Sequence, residues 1–410
     1  MVTKARQARR EKSVGFRTYT CPISRRCGGC EWLAVPYPIQ LRRKQEAMEE
    51  LFSPAVEEDG CELGRVHGME EPLRFRHKMA SPFAPGAKGR VRSGFYEAGS
   101  HRIVACHDCL VEDPCGRTMI DDLARAAERL HIPAYREDQG TGVLRNAVVR
   151  SGYATDEVLL TIVTNGSQLP HASRLARMLK EAHPELTSIV QNVNQRRTNA
   201  ILGRDCVTLL GPGVMHDKLL GCRFEVGPTS FYQTNPAQTE VLYSLAIDAA
   251  ELRAGERMLD AYCGTGSIGI CAARATQENG RDVRVVGVEQ VAGAVDCARR
   301  NAGENGLSAS CDFVRADATK YMRRLRERGG EGFDVVMMDP PRAGSTPEFI
   351  AAVCALEPRA VVYVSCNPQT QLRDLGEFRR HGWHARRIEL VDMFPHTKHV
   401  ETVCLLSHER

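Results

Sequence analysis

No apolar run in this sequence approaches the length that a bilayer demands, and no apolar segment follows the basic N-terminus, so neither a transmembrane helix nor a secretory signal is expected. That absence points to a cytoplasmic protein. A disulfide framework is not expected either: sixteen cysteines in a reducing compartment argue for thiol chemistry or metal binding in some and plain burial in the others. Acidic residues are scarce in one place. Residues 1 to 44 carry eleven Lys or Arg against Glu11 and Glu31, about +9, and the chain totals +4, so the remainder is about −5. A basic front end suggests a polyanion partner, nucleic acid above all, with a solvated tail over Met1 to Glu11 as the plainer alternative. At 410 residues, 42% hydrophobic and 26% charged, the chain has the makings of two or three globular domains.

The first chemical signal is Cys21-x5-Cys27-x2-Cys30, with Gly28 and Gly29 letting the backbone turn tightly between the last two thiols. Three thiols this close can wrap one soft metal centre, and Cys106, His107 and Cys109 offer a fourth ligand. Zinc held by four thiolates, zinc held by three thiolates and an imidazole, and an iron-sulfur cluster all fit the spacing. Between the cysteine groups, Phe75-Arg76-His77-Lys78 and Gly94-Phe95-Tyr96 combine cations and aromatics suited to phosphates and bases, or simply to a solvated strand face. Residues 118 to 225 then alternate helical stretches (Asp121 to Leu130, His171 to Glu181) with strand-like runs (Ala147 to Val149, Val158 to Val163, Ser188 to Val193), an α/β pattern.

The C-terminal half carries the sharper chemistry. Met258 to Gly269 reads as a strand, a glycine-rich turn (Gly264-x-Gly266-x-x-Gly269) and a helix start, which lets backbone approach a ligand beneath a positive helix end. The next strand, Val285 to Val288, ends in Glu289, placed for the hydroxyls of a ribose. A nicotinamide cofactor matches the glycines formally. Asp260, however, would repel a pyrophosphate and attract the cationic methionine end of S-adenosylmethionine. Asp317 suits an adenine amino group, and Asp339 ends a further strand at the same edge. Val361 to Ser365 reads as a buried strand stopped by Asn367-Pro368, so Cys366 stands at its carboxyl end as a candidate nucleophile. His399 and Glu401, two apart, share a face in an extended segment, and either is a candidate general base.

Five motifs in order, Phe231-Tyr232-Gln233-x-Asn235, Asp260-x-Tyr262-Cys263-Gly264-x-Gly266, Asp339-Pro-Pro-Arg342, Ser365-Cys366-Asn367-Pro368 and Phe394-Pro395-His396-Thr397-x-His399-x-Glu401, resemble those of RNA uracil-5-methyltransferases. Cys21, Cys27, Cys30 and Cys109 resemble the [4Fe-4S] site of members that modify 23S ribosomal RNA. The likeness runs from about Phe16 to the C-terminus. Many ribosomal members begin with a TRAM domain, for which no room precedes Cys21, and this resembles the shorter ribosomal branch. His77 stands where the family segment usually reads Asn, and Ser267 where some members have Asn.

The resemblance implies Cys366 as nucleophile and Glu401 as base. It implies an S-adenosylmethionine site lined by Gln233, Tyr262, Gly264, Ser267, Glu289, Asp317 and Asp339, with Phe231 stacking near the target base and Arg76 and Lys78 on the RNA. The implied architecture is an α/β chain with a basic tail (1–15), an iron-sulfur and RNA-binding region (16–115), a central α/β domain (116–228) and a Rossmann-like methyltransferase domain (229–410). The expected enzyme is a monomer acting on 23S rRNA with no membrane partner. A tRNA uracil-5-methyltransferase, a nicotinamide oxidoreductase and a non-catalytic iron-sulfur RNA-binding protein are the rivals.

Overall fold

The computed structural model describes residues 16–327 and 331–408, so the expected basic tail over 1–15 lies outside the described residues. The strands are β1 (Glu62–His67), β2 (Lys78–Pro85), β3 (Val91–Tyr96), β4 (Ile103–Ala105), β5 (Leu144–Ser151), β6 (Val158–Thr164), β7 (Leu186–Val193), β8 (Asp205–Leu210), β9 (Met215–Leu219) and β10 (Cys222–Val226). They continue with β11 (Arg257–Ala261), β12 (Arg284–Glu289), β13 (Cys311–Arg315), β14 (Val335–Met338), β15 (Ala360–Ser365), β16 (Trp383–Val391) and β17 (Glu401–His408).

Two large sheets organise them. One runs β4-β3-β2-β5-β6-β7-β8, the other β1-β16-β17-β15-β14-β11-β12-β13, and β9 and β10 form a separate hairpin. β11 to β15 pair in parallel, and β17 is antiparallel to both β15 and β16. Val335–Met338 and Ala360–Ser365 are buried along their whole length, as strands covered on both faces by crossover helices must be. Their side chains point alternately into two cores, Val335, Met337, Val362 and Val364 into one and Val336, Met338, Val361 and Tyr363 into the other.

The sheets do not divide where the sequence suggested. β2 to β4, expected with the cysteine region, pair through β2 and β5 with the central strands. β1 instead lies parallel to β16 at the edge of the eight-stranded sheet, packed by the helix Tyr37–Asp59. The β9–β10 hairpin likewise packs Leu219, Cys222 and Phe224 into a core of that half. Long-range pairing of this kind leaves no local trace in composition. The expected helix at Asp121 begins earlier, at Pro114, because Asp113 accepts the Cys115 N–H at 2.9 Å and proline occupies the first turn.

Candidate active site

In the eight-stranded sheet β11 sits between β14 and β12, so its neighbours are reached by crossovers running in opposite directions. Ligands bind at the carboxyl ends of strands at such a switch point. A cavity of about 830 Å³ opens there. Asp260, Tyr262, Gly264, Glu289, Asp317 and Asp339 line it from successive strand ends, and Gln233, Ser267, Phe231, Cys366 and Glu401 complete the wall.

The glycine-rich turn is left-handed at Tyr262, Gly264 and Gly266 (φ 63°, 55° and 78°), the last two free of the Cβ penalty. A Cβ on Gly266 would stand 2.7 Å from Phe313. Asp260 Oδ2 accepts the Gly269 N–H at 3.0 Å, so the carboxylate expected to meet a ligand also anchors the following helix. Glu289 accepts the Val291 N–H at 2.8 Å and Asp317 the Lys320 N–H at 2.9 Å, each with one oxygen. Ser267 Oγ shares a 2.8 Å hydrogen bond with the Tyr243 hydroxyl. The Tyr262 ring leans on Phe349 with centroids 5.2 Å apart.

Cys366 and Glu401 meet through sheet register. β15 and β17 pair Ser365 with Thr402, and one further step in an antiparallel pair sets Cys366 opposite Glu401. Ser365 Oγ accepts the Asn367 N–H and donates to its carbonyl, both at 3.1 Å, which folds the turn so that Cys366 is exposed. Asn367 Nδ2 donates to the Arg342 carbonyl at 3.1 Å, tying this turn to the Asp-Pro-Pro-Arg loop. Burial against the cavity wall pushes the Cys366 thiol up, and Glu401 and Asp339 add to it, while Arg342 opposes them. Burial alone raises Asp339 to about 7. Asp260 reaches about 7 through burial, with Asp339 and Glu289 adding repulsion, and Glu401 about 8 through burial and Asp339. Three carboxyls that form no ion pair with a cation among the described residues make a site that favours a cationic ligand.

A family profile described as tRNA (Uracil-5-)-methyltransferase matches residues 196–409. An uncharacterized RNA methyltransferase of Staphylococcus aureus (strain COL) is 36% identical over 387 residues, covering 94% of this chain and 83% of that one. One of Halalkalibacterium halodurans is also 36% identical, over 94% and 82%. This chain belongs to the tRNA (uracil-5-)-methyltransferase family. The solved Pyrococcus abyssi tRNA (uracil-54, C5)-methyltransferase, in complex with S-adenosyl-L-homocysteine, superposes with TM-score 0.74 at 27% identity, covering 95% of this chain and 87% of that one. The protein is thus an RNA uracil-5-methyltransferase type of enzyme that uses S-adenosylmethionine on the α/β fold of such enzymes. No described helix is long and apolar enough to cross a membrane.

Residues from the N-terminal part of the chain, Gly28, Gly29, Glu31, Arg76 and Lys78, join this cavity beside Phe231. Phe231 is 66% exposed at its rim. Lys78 lines the cavity, and burial, with Arg150 nearby, pulls its ammonium down to about 8. Arg76 lines it as well, and its Nε has no hydrogen-bond partner among the described residues. Gly28, Gly29 and Glu31 also border the cavity, which nothing in their sequence signalled beyond the glycines' freedom to turn.

Cys21, Cys27, Cys30, Cys106 and Cys109 line a small second cavity with Leu33, Phe95 and Leu110. The short helix Ser24–Cys27 ends in left-handed Gly28, which turns the chain towards Cys30. Arg26 and Glu97 pair at 3.0 Å, and the Ala98 N–H donates to the Arg26 carbonyl at 3.3 Å, joining this segment to the β3–β4 turn. Of the three candidates for a fourth ligand, His107 points away: its Nδ1 meets Asp121 at 2.9 Å and its side chain is exposed. The Cys106 thiol donates to the Asp108 carbonyl at 3.4 Å, and its closeness to Cys109 lowers the Cys109 thiol to about 7.

Proposed function

We propose that the enzyme methylates C5 of a uridine in 23S rRNA through a covalent bond between Cys366 and C6 of the base. The observation that carries this reading is the register that sets Cys366 opposite Glu401 beside Asp339, on one cavity. C5 of uracil is a poor nucleophile. Addition of the Cys366 thiolate to C6 moves electron density to C5, which bonds to the methyl group as S-adenosylhomocysteine leaves. Glu401 then takes the C5 proton, the C5–C6 double bond reforms and the thiolate departs from C6. Glu401 must be ionised to act. The cationic methyl donor, beside Asp339, stabilises the charged carboxylates and so draws Glu401 down from its ligand-free value of about 8.

In this reading Glu289 holds the ribose, Asp317 the adenine amino group and Asp339 and Gln233 the methionine end, with Tyr262, Gly264 and Ser267 as backbone and walls. The target base swings out of its stack to enter, with Phe231 at the rim to receive a neighbouring face. Arg76 and Lys78 take phosphates. The four cysteines fit a [4Fe-4S] cluster by their chemistry, since all four donors are thiols and the lining is apolar. Such a cluster would be held by Cys21, Cys27, Cys30 and Cys109 and would brace the wall formed by Gly28 and Gly29. Anaerobically purified protein is then expected to be brown, with about four irons per chain. Cys109→Ala should lose the iron; one zinc and no iron would overturn this assignment.

A second reading, methylation of tRNA, is favoured by the likeness to the P. abyssi enzyme. The cysteine set supports the ribosomal substrate, by its resemblance to that branch. Transfer of labelled methyl groups to unmodified 23S rRNA and tRNA transcripts, followed by mapping of 5-methyluridine, tests both. Labelling of tRNA alone would replace the first reading by the second.

A further inference from the structure

We infer that Gln40, Lys44 and His396 form a clamp through which the helix Tyr37–Asp59 positions Glu401 for proton removal. The inference rests on the catalytic reading above and names how its base is held.

The loop from Asp392 to Val400 joins β16 to β17 and ends at Glu401. At its crest stands His396, fully buried and left-handed at φ 66°, a conformation that costs a β-carbon residue energy unless its surroundings fix it. The His396 N–H donates to Gln40 Oε1 at 2.9 Å and its carbonyl accepts the Trp32 N–H at 2.9 Å. Its Nε2 lies 2.9 Å from the Pro72 carbonyl, which can only accept, so Nε2 carries the hydrogen. Nδ1 is then an acceptor facing Gln40 Nε2 at 3.1 Å, whose two hydrogens are shared with the Val35 and Trp32 carbonyls at 2.7 and 3.0 Å. Tyr19 packs edge-on against the ring at 5.7 Å.

Lys44, also buried, closes the same loop. Its three hydrogens meet Asp392 Oδ1 at 2.5 Å, the Phe394 carbonyl at 3.2 Å and the His399 carbonyl at 2.8 Å. Tyr37 donates to the other Asp392 oxygen at 2.7 Å. The entry, crest and exit of the loop are thus held by residues 19 to 44 and Pro72. Beyond it, Thr402 donates to Gln371 at 2.7 Å, on the helix that follows Cys366. Glu401 stands between these two anchors. An apolar side chain in place of a buried Lys–Asp pair would serve stability as well or better, so what this pair specifies is one loop geometry. A general base displaced by about 1 Å loses about 100-fold in rate.

The experiment uses full-length Lys44→Met and, as a milder second variant, Gln40→Met, with unmodified 23S rRNA and tRNA transcripts containing uridine or 5-fluorouridine. Fluorine at C5 cannot leave as a proton, so 5-fluorouridine RNA stays bonded to Cys366 whether or not the base is in place, and its capture reports addition and methyl transfer alone. Both variants should bind S-adenosylhomocysteine within about twofold of the parent and capture 5-fluorouridine RNA at a similar rate. Uridine RNA should remain as a covalent band about 100-fold longer in Lys44→Met and about tenfold longer in Gln40→Met. Release at the parent rate, or capture slowed as much as release, overturns the clamp. Glu401→Gln is the control: if it holds no uridine RNA, the catalytic reading fails and the clamp with it, whereas trapping by Glu401→Gln but by neither clamp variant overturns the clamp alone.

Discussion

The seven-stranded sheet and the ligand edge of the eight-stranded sheet differ in how they treat buried charge. Around the seven-stranded sheet, carboxylates are met by partners within the chain. Glu112 and Arg117, 3% and 2% exposed, pair at 2.5 Å, and Asp217 of the β9–β10 hairpin, set against the β5–β6 turn, accepts the Tyr153 and Ala154 N–H groups and the Tyr232 hydroxyl. At the carboxyl edge of the eight-stranded sheet, buried Asp260 and Glu401 stand with half-buried Asp339 on one cavity, and the three are pushed up to about 7, 8 and 7. The first arrangement offsets desolvation inside the fold. The second leaves it for a cationic ligand to offset, which is what a site for a sulfonium methyl donor requires.

Exchanging residues between these roles sharpens the contrast. Cys366→Ala should abolish product, a loss of more than about 1,000-fold, and form no covalent complex, while Glu401→Gln should accumulate methylated RNA bonded to protein on denaturing gels. Free release of 5-methyluridine by both would end the covalent scheme, and trapping by His399→Ala in place of Glu401→Gln would reassign the base. Arg117→Met belongs to the paired set. It leaves Glu112 buried without its cation and should cost about 3 kcal/mol in urea unfolding, with S-adenosylmethionine affinity unchanged. A loss of affinity equal to the loss of stability would erase the distinction between the sheets.

Asp339→Asn reverses that pattern. It removes a charge with no cation of its own, so calorimetry should show S-adenosylmethionine binding weakened by about 2 kcal/mol, or about 30-fold, with little change in unfolding. The smallest effect is that of pH. The three raised carboxyls bind protons more tightly folded than unfolded, so the ligand-free protein should lose stability as pH rises from about 4, the ordinary carboxyl value, through 7 to 8. Affinity for the cationic donor should rise by about tenfold between pH 6 and 8, as Asp260 and Asp339 ionise. A flat affinity profile with an unchanged melting temperature would show that these groups are already charged without ligand.

Much of the candidate site's placement at strand ends could be read before the fold was known, because local rules governed it. The apolar runs at Val335 and Ala360, the glycine turn after Asp260 and the stop at Asn367-Pro368 each announce a strand end in a few residues, and a carboxylate or thiol at a strand end lies on the ligand edge of an open sheet. The same rules misplaced the borders between units, since no feature within Glu62–His67 reveals that its partner is β16, more than 300 residues on.

By itself, then, the order of residues determined which segments are strands and which chemical groups stand at their tips, since side-chain period and turn chemistry act over a few positions. Three things were left to the tertiary structure. The β15–β17 register alone brings Cys366 to Glu401, because a slip of one residue would turn Glu401 to the other face. Desolvation with no ion-pair partner among the described residues, which depends on every neighbour at once, separates Asp339 from Asp217 though both are single aspartates in the sequence. Lys44 and Gln40 read as ordinary polar helix positions, and only the packing of Tyr37–Asp59 against the loop after β16 gives them Asp392, His396 and His399 to hold.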